Sequence, residues 1–349
     1  MRALTFHGIE DVRLTQVPDP ILIDPRDALV IPLRAAICGS DLHAVQGREK
    51  GLDPGTVLGH EIYGEVLEIG SDVQGIRPGD RVVAPFTTSC GKCPPCLSGL
   101  TARCELGQLF GWSSNGHGLQ GTQADLLRVP LADSTLVSVP SGVSGARALL
   151  SGDVLSTGMF CAIQAGAADC QVLAVVGAGP VGLMAALCAL HLGADQVFVL
   201  DSIAERLELA ERFGATPLSI VDGAAERKLL ALTEGRGADA VCECVGSPAA
   251  SRTSIDLLRP GGTLSAVGVH TEDSFAFSPG EAYDKNLTYR AGRCSARALM
   301  ATTLPLALDP SWPLEDLFTH RVPLDHGAEA YRIFGAREEG CVKVLLELG

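Results

Sequence analysis

Four cysteines, Cys90, Cys93, Cys96 and Cys104, fall within 15 residues. Two residues separate each of the first three and seven separate the last pair, so one loop can wrap a tetrahedral zinc ion with four thiolates and no open position. A shell closed in that way is structural, because nothing can displace a ligand to admit substrate. A second set is dispersed: Cys38 in Ile37-Cys38-Gly39-Ser40-Asp41-Leu42-His43, and His60-Glu61 after Leu58-Gly59. Taken singly, Cys38 reads as a small buried hydrophobe and His60 as a satisfied core histidine. Taken together, with acids beside them, they are metal-ligand candidates. A catalytic zinc needs three protein ligands and one open position, so this set requires a further ligand from elsewhere in the chain.

A third pattern serves a different chemistry. Gly177, Gly179 and Gly182 form G-x-G-x-x-G, with Ala178, Pro180 and Val181 between them, directly after the apolar run Val172 to Val176. The first glycine allows a tight turn, the second lets backbone approach a pyrophosphate, and the third lets the following helix sit close to the strand. The pyrophosphate then meets unpaired N–H groups at the positive end of the helix. Asp201 follows Gly182 by 19 residues, the spacing of an acid that accepts hydrogen bonds from the ribose hydroxyls and repels a 2′-phosphate. The pattern predicts NAD rather than NADP. Arg206 is an adenine or ribose neighbour, or an ordinary solvated helix arginine.

These elements need room, and the chain has it. Its 349 residues suit about two domains. Hydrophobic residues make up 46% and charged residues 19%, which excludes a disordered chain. The net charge of −14 argues against a nucleic-acid partner, since that attraction needs clustered Lys and Arg. Twelve cysteines in a chain of this length, without a recognisable export signal, point to reduced thiols and a cytoplasmic setting. Leu173 to Leu190 carries no charge over 18 residues, but its glycines and Pro180 fit a strand, a turn and a buried helix better than a membrane span.

The texture along the chain divides it. Residues 1–151 read as short strands between Gly and Pro turns, among them Met1 to Glu10, Ala28 to Ala36, Gly64 to Ile69 and Asp80 to Pro85, with no sustained helical period. From 152 to 291, apolar runs alternate with amphipathic stretches. The strands are Val172 to Val176, Val197 to Leu200, Pro217 to Ile220, Ala240 to Val245, Thr263 to Val269 and Asn286 to Ala291. Helical patterns cover Val181 to Leu192, Ala204 to Phe213, Ala225 to Leu232 and Ala249 to Leu258, with Gly193 and Gly214 as C-terminal caps. This is the sequence form of an α/β, doubly wound parallel sheet. Residues 292–349 read as irregular and Pro-punctuated, ending in a strand over Val342 to Leu348. So short a tail is expected to pack on the mainly β N-terminal part.

The chain resembles the zinc-dependent medium-chain alcohol dehydrogenases over essentially its whole length. The resemblance rests on Cys-Gly-Ser-Asp-x-His at Cys38 to His43, Gly-His-Glu at Gly59 to Glu61, the four-cysteine lobe at about 89–105, Asp153 with Thr157-Gly158 four residues on, and the nucleotide fingerprint. Gly268-Val269-His270-Thr271 and Tyr289 to Cys294 are similar to the branch that includes glutathione-independent formaldehyde dehydrogenases.

The resemblance implies a Rossmann domain at 152–291 and a GroES-like catalytic domain at 1–151 and 292–349. It also implies NAD and two zinc ions per chain, one catalytic and one structural. Cys38, His60 and Asp153 would hold the catalytic zinc, with Glu61 able to enter the shell and Asp41 orienting the His60 ring. Many relatives have Cys where this chain has Asp153. Ser40, the cofactor ribose and His43 would form a proton relay, and catalysis would lie in the cleft between the domains. Thr157, Val267, Val269 and Arg293 would contact the cofactor, while Phe86 and Trp112 would line the pocket or serve as core aromatics. A homo-oligomer is expected, tetramer before dimer. Relatives that retain NAD tightly carry an additional loop, and no segment here is long enough for it, so the cofactor is expected to dissociate.

The substrate stays open at this level. A small alcohol or aldehyde hydrate is the leading class, with polyol or diol dehydrogenases of the same family as the alternative. A metal-free quinone or enone reductase shares the fold but has no need of both cysteine sets. A non-catalytic zinc module or thiol redox sensor leaves Cys38 and His60 without a purpose.

Overall fold

The computed structural model describes residues 1–221 and 223–348. Asp222, and Gly349 at the end of the C-terminal stretch, lie outside the described residues. The chain divides into two compact units, Met1–Ser156 with Ser295–Gly349, and Thr157–Cys294.

In the second unit, six parallel strands lie in the order Thr216–Ser219, Gln196–Asp201, Val172–Val176, Ala238–Glu243, Leu258–Ala266, Thr288–Ala291. By chain order this is 3-2-1-4-5-6, the doubly wound arrangement. The central strand Val172–Val176 is buried along its full length because helices cover both faces of such a sheet. Its neighbours are held in register by Val176 facing Leu200 on one side and Glu243 on the other. The helix Pro180–Leu192 ends on Gly193 at φ 112°, a left-handed cap that a side chain would strain.

Two boundaries differ from the sequence expectation in ways that bear on function. The fifth strand runs over Leu258–Ala266, so Val267 to Val269 leave the sheet as a loop. Before the sixth strand a helix, Pro279–Lys285, is capped by Ser278 and Glu281, and Asn286 closes it at φ 47°. None of its residues is buried, so it carries no apolar period to read.

In the first unit, a sheet runs in the order His320–Pro323, Val344–Glu347, Ala28–Ile37, Ile62–Ile69, Arg81–Ala84, Val137–Ser138. Leu127–Val129 also pairs with Ala28–Ile37. The α-helices before residue 151 are short, from four to seven residues. The tail is more regular than its composition suggests. Helices Ala296–Leu308 and Gly327–Ala336 precede the strand Val344–Glu347, which joins the sheet beside Ala28–Ile37. The first tail helix contains Pro305 and the second begins on Gly327, and both features masked the helical pattern.

The 18-residue apolar run resolves into the strand Val172–Val176, the glycine turn and the helix Pro180–Leu192. Among the described residues no helix is long and apolar enough to cross a membrane.

The tail strand is part of a core. Leu346 is fully buried in a cluster with Leu4, Ile37, Leu58 and Phe334. Leu346→Ala should therefore cost about 2–5 kcal/mol, seen as a lower urea midpoint. An unchanged midpoint would separate the tail from the core.

Candidate active site

Sheet register brings three chemistry-bearing residues to one end of the first unit. The strand Ala28–Ile37 has antiparallel neighbours on both sides, so its C-terminal end meets the N-terminal ends of both. Val344 pairs with Ile37, which sets Lys343 level with Cys38 one step further along. Ala35 pairs with Ile62, which sets Glu61 level with Ala36 and His60 level with Ile37. Asp153 arrives from the turn between helices Gly145–Leu150 and Val154–Ala165. The turn lies tight against Arg81–Ala84: a Cβ on Gly152 would fall 2.2 Å from the Ala84 carbonyl oxygen.

Cys38, His60, Glu61 and Asp153 each offer a donor atom, and these atoms lie within 4.8 Å of one another, all on buried residues. Cys38 Sγ is 3.2 Å and His60 Nε2 is 3.3 Å from the same Asp153 oxygen, Oδ2. The other ring nitrogen, Nδ1, is 3.0 Å from Asp41 Oδ1, while Asp41 Oδ2 accepts the Cys38 N–H. Asp41 thus fixes both the ring and the backbone that carries the thiol, with Nε2 left to face the cluster. Glu61 Oε1 is 2.6 Å from Lys343 Nζ, and Glu61 Oε2 is buried with no hydrogen-bond partner.

Electrostatics follow from the crowding. Burial, then the Asp153 charge, pushes the Cys38 thiol up. Burial alone would lower the Lys343 pKa, but Glu61, with Cys38 and Asp153 nearby, outweighs it and holds the ammonium above the usual lysine value. Burial would likewise lower that of His60, and Asp41 and Asp153 overcome it. A thiol, an imidazole and two carboxylates converging with one oxygen unpartnered are the donor set of a divalent zinc ion, and the residues fit it.

The second cysteine set is also assembled: Cys90, Cys93, Cys96 and Cys104 bring their sulfurs within 4.8 Å of one another. Backbone N–H groups point at them, Cys93 to Cys90 Sγ at 3.3 Å and Cys90 to Cys104 Sγ at 3.1 Å. Amide donors from Lys92 and Cys93 bring the Cys90 thiol down to about 6, whereas burial pushes Cys96 up to about 12. Four sulfurs and no other donor type make a closed tetrahedral site.

In the second unit the three fingerprint glycines have separate reasons. Gly177 has φ 96°, and a Cβ on Gly182 would fall 1.8 Å from the Gly177 carbonyl oxygen, so neither tolerates a side chain. A Cβ on Gly179 would meet only Arg206 Nη1, at 3.9 Å. The space in front of Gly179 is open, as a pyrophosphate at the N-terminus of Pro180–Leu192 requires. Asp201 ends its strand with Oδ2 accepting the Ala178 N–H at 2.7 Å, and Arg206 Nη1 is 3.8 Å from that oxygen. Val267 and Val269 lie on the loop after Leu258–Ala266, and the Val269 carbonyl oxygen is 2.4 Å from where a Gly246 Cβ would sit. Val245 in turn reaches to 2.5 Å from a Gly177 Cβ, so these loops gather at one end of the sheet. Thr157 is half-buried near the start of its helix, and Arg293 is exposed beyond the sixth strand.

The remaining expected residues separate. Phe86 meets the His60 ring edge-on, 6.4 Å between centroids. Trp112, half-buried, packs on the apolar cluster of Leu4, Leu52 and Leu58. Ser40 Oγ is 3.3 Å from His60 Nε2. His43 Nδ1 is buried without a partner, and burial, then Arg48, lowers the ring's pKa. Lys343 was not anticipated. It sits in the apolar run Val342 to Leu346, where strand alternation reads a lysine as facing water, and the only signal was the cost of burying an ammonium there.

Comparisons with known proteins agree with this geometry. Residues 24–141 match the alcohol dehydrogenase GroES-like domain, and residues 180–308 match the zinc-binding dehydrogenase family. The chain is 39% identical to a zinc-type alcohol dehydrogenase B of Aspergillus flavus, over 100% of this chain and 82% of that one. The structure of an alcohol dehydrogenase from Thermus sp. ATN1 superposes with a TM-score of 0.94 at 39% identity over the full length of both chains. An apo zinc-dependent alcohol dehydrogenase 2 from Streptococcus pneumonia gives 0.90 at 31% identity, covering 100% of this chain and 98% of that one. The chain belongs to the zinc-dependent medium-chain alcohol dehydrogenase family. As a member it is a zinc-dependent oxidoreductase that works with a nicotinamide cofactor on a small-molecule substrate.

For a dehydrogenase of this family, the carboxylate behind the imidazole sets ligand basicity and ring orientation. Asp41→Ala should lower zinc affinity by about 10–100-fold in chelator competition. Equal affinity would remove Asp41 from that role.

Proposed function

We propose that this enzyme oxidises a small alcohol or aldehyde hydrate with NAD, using zinc held by Cys38, His60 and Asp153 with Glu61 able to join them. The observation that carries the reading is the buried convergence of those four donors, with Asp41 fixed behind the ring. Zinc bound there supplies a Lewis acid that lowers the pKa of a substrate hydroxyl, and the nicotinamide supplies a hydride acceptor. An oxygen donor at Asp153, in place of a thiolate, leaves the metal more electron-poor and strengthens that polarisation. Phe86 packs against His60 and keeps water from that side of the ring. Ser40, adjacent to His60 Nε2, and His43, held neutral by burial and Arg48, are the groups we assign to carrying the hydroxyl proton away.

Gly177, Gly179 and Gly182 bind the pyrophosphate through backbone N–H groups, Asp201 takes the ribose hydroxyls beside Arg206, and Thr157, Val267, Val269 and Arg293 complete the cofactor set. The cysteine lobe holds the second, structural zinc. The same reading expects a homo-oligomer, tetramer before dimer, in the reducing cytoplasm.

Screening NAD and NADP against a panel of alcohols and aldehydes tests the reading. NAD should give the higher kcat/KM, and a preference for NADP would remove the role given to Asp201. Asp153→Asn and Cys38→Ser should each abolish turnover with NAD affinity largely intact; retained turnover would take them out of the site. His43→Ala should slow alcohol oxidation mostly at low pH, where hydroxide cannot replace the lost base. An unchanged pH profile would count against His43 as a proton carrier.

A further inference from the structure

Lys343 and Glu61 are both completely buried, 282 residues apart in the chain, and joined at 2.6 Å. The Lys343 ammonium also lies 3.4 Å from the carbonyl oxygen of Ile37, the residue before Cys38. It therefore grips the cluster at two points, one on the strand that carries the thiol and one on the carboxylate. Its hold on Glu61 is one-sided: Oε1 is taken and Oε2 is buried without a hydrogen-bond partner, while a carboxylate oxygen of Glu61 lies within 4.8 Å of donor atoms of Cys38, His60 and Asp153. Charge closes the same way. Cys38, Glu61 and Asp153 as anions exceed a divalent ion by one negative charge, and the Lys343 ammonium cancels it.

We infer that Lys343 is a positioning residue for the metal centre, which holds Glu61 by Oε1, aims Oε2 at the ion and keeps that carboxylate neutralised whether or not it is bound to metal. The inference rests on the metal site proposed above. Lys343 is not a ligand. An ammonium at this place lets Glu61 share the ion and give it up without taking a proton, because its counter-charge stays fixed on the neighbouring strand.

The test replaces the zinc of this cluster with cobalt(II), leaving zinc in the cysteine lobe, and reads the visible d–d spectrum and the rate of cobalt loss to a chelator. In the unaltered enzyme, uptake of one cobalt with a four- or five-coordinate spectrum is the control; no uptake would overturn the metal-site reading itself. Lys343→Met should shift the d–d bands and change the rate of cobalt loss by about tenfold or more, and Lys343→Arg should restore part of both. Adding Lys343→Met to Glu61→Gln should then produce little further change, since both act through one carboxylate. A folded Lys343→Met protein with unaltered spectrum and release rate overturns the inference. Should Lys343→Met fail to fold, Lys343→Gln, which keeps a hydrogen-bond donor but not the charge, decides the matter: a spectrum and release rate identical to those of the unaltered enzyme overturn the inference, and a shift in either supports it.

Discussion

Cys38, Glu61 and Asp153 bring three groups that are anionic as metal donors into a space 4.8 Å across. Two unit charges 4 Å apart interact by about 4 kcal/mol even at an effective dielectric constant near 20, so such a set is untenable without positive charge among it. A divalent ion supplies two charges and Lys343 the third. The burial of a lysine with no exposed surface, otherwise one of the rarest placements for that residue, follows from this constraint. So does the direction of its pKa, which rises although burial opposes it.

The sheet delivers Cys38, Glu61 and Lys343, and the turn before Val154–Ala165 adds Asp153. Because Ala28–Ile37 is antiparallel to both neighbours, the end of one strand meets the starts of two others, and Cys38, Glu61 and Lys343, distant in sequence, fall within two residue steps of one another. A slip of one residue in either pairing would turn Lys343 or Glu61 to the opposite face. Register is pinned by the apolar cluster under the strands, in which Ile37, Val344 and Leu346 are fully buried. The second unit works by other means. Its Gly177–Gly182 turn offers backbone N–H groups and empty space, and the side chains matter mainly where their absence permits contact.

How far the chain could be read in advance tracks the sequence distance between interacting residues. The cysteine lobe and the glycine fingerprint each lie in one short segment, so spacing alone exposes them. The central strand Val172–Val176 is apolar on both faces and was visible for that reason, whereas Pro279–Lys285 buries nothing and was not. Cys38 and His60 showed as ligand types. Asp153, 115 residues from Cys38, has no local pattern and entered only through resemblance to a family. Lys343 left only the faint signal of a charge within an apolar run, because its meaning depends on a partner 282 residues away.

The two cysteine-containing sites show why one of them needs a buried cation. In the lobe, thiolates receive N–H groups from Lys92 and Cys93, and Cys90 and Cys104 are only half-buried, so peptide dipoles and water share the charge. At the Cys38 cluster all four donors sit on buried residues. A buried ion pair is weak evidence for stability in itself, since apolar replacements of similar volume are often neutral or stabilising. Breaking one by removing a single partner is costly, about 3–5 kcal/mol. Stability alone therefore gives no reason for a pair at Glu61 and Lys343 rather than two aliphatic side chains. The reason has to come from what an anionic carboxylate does beside a metal, and Lys343 is the group that lets one remain there.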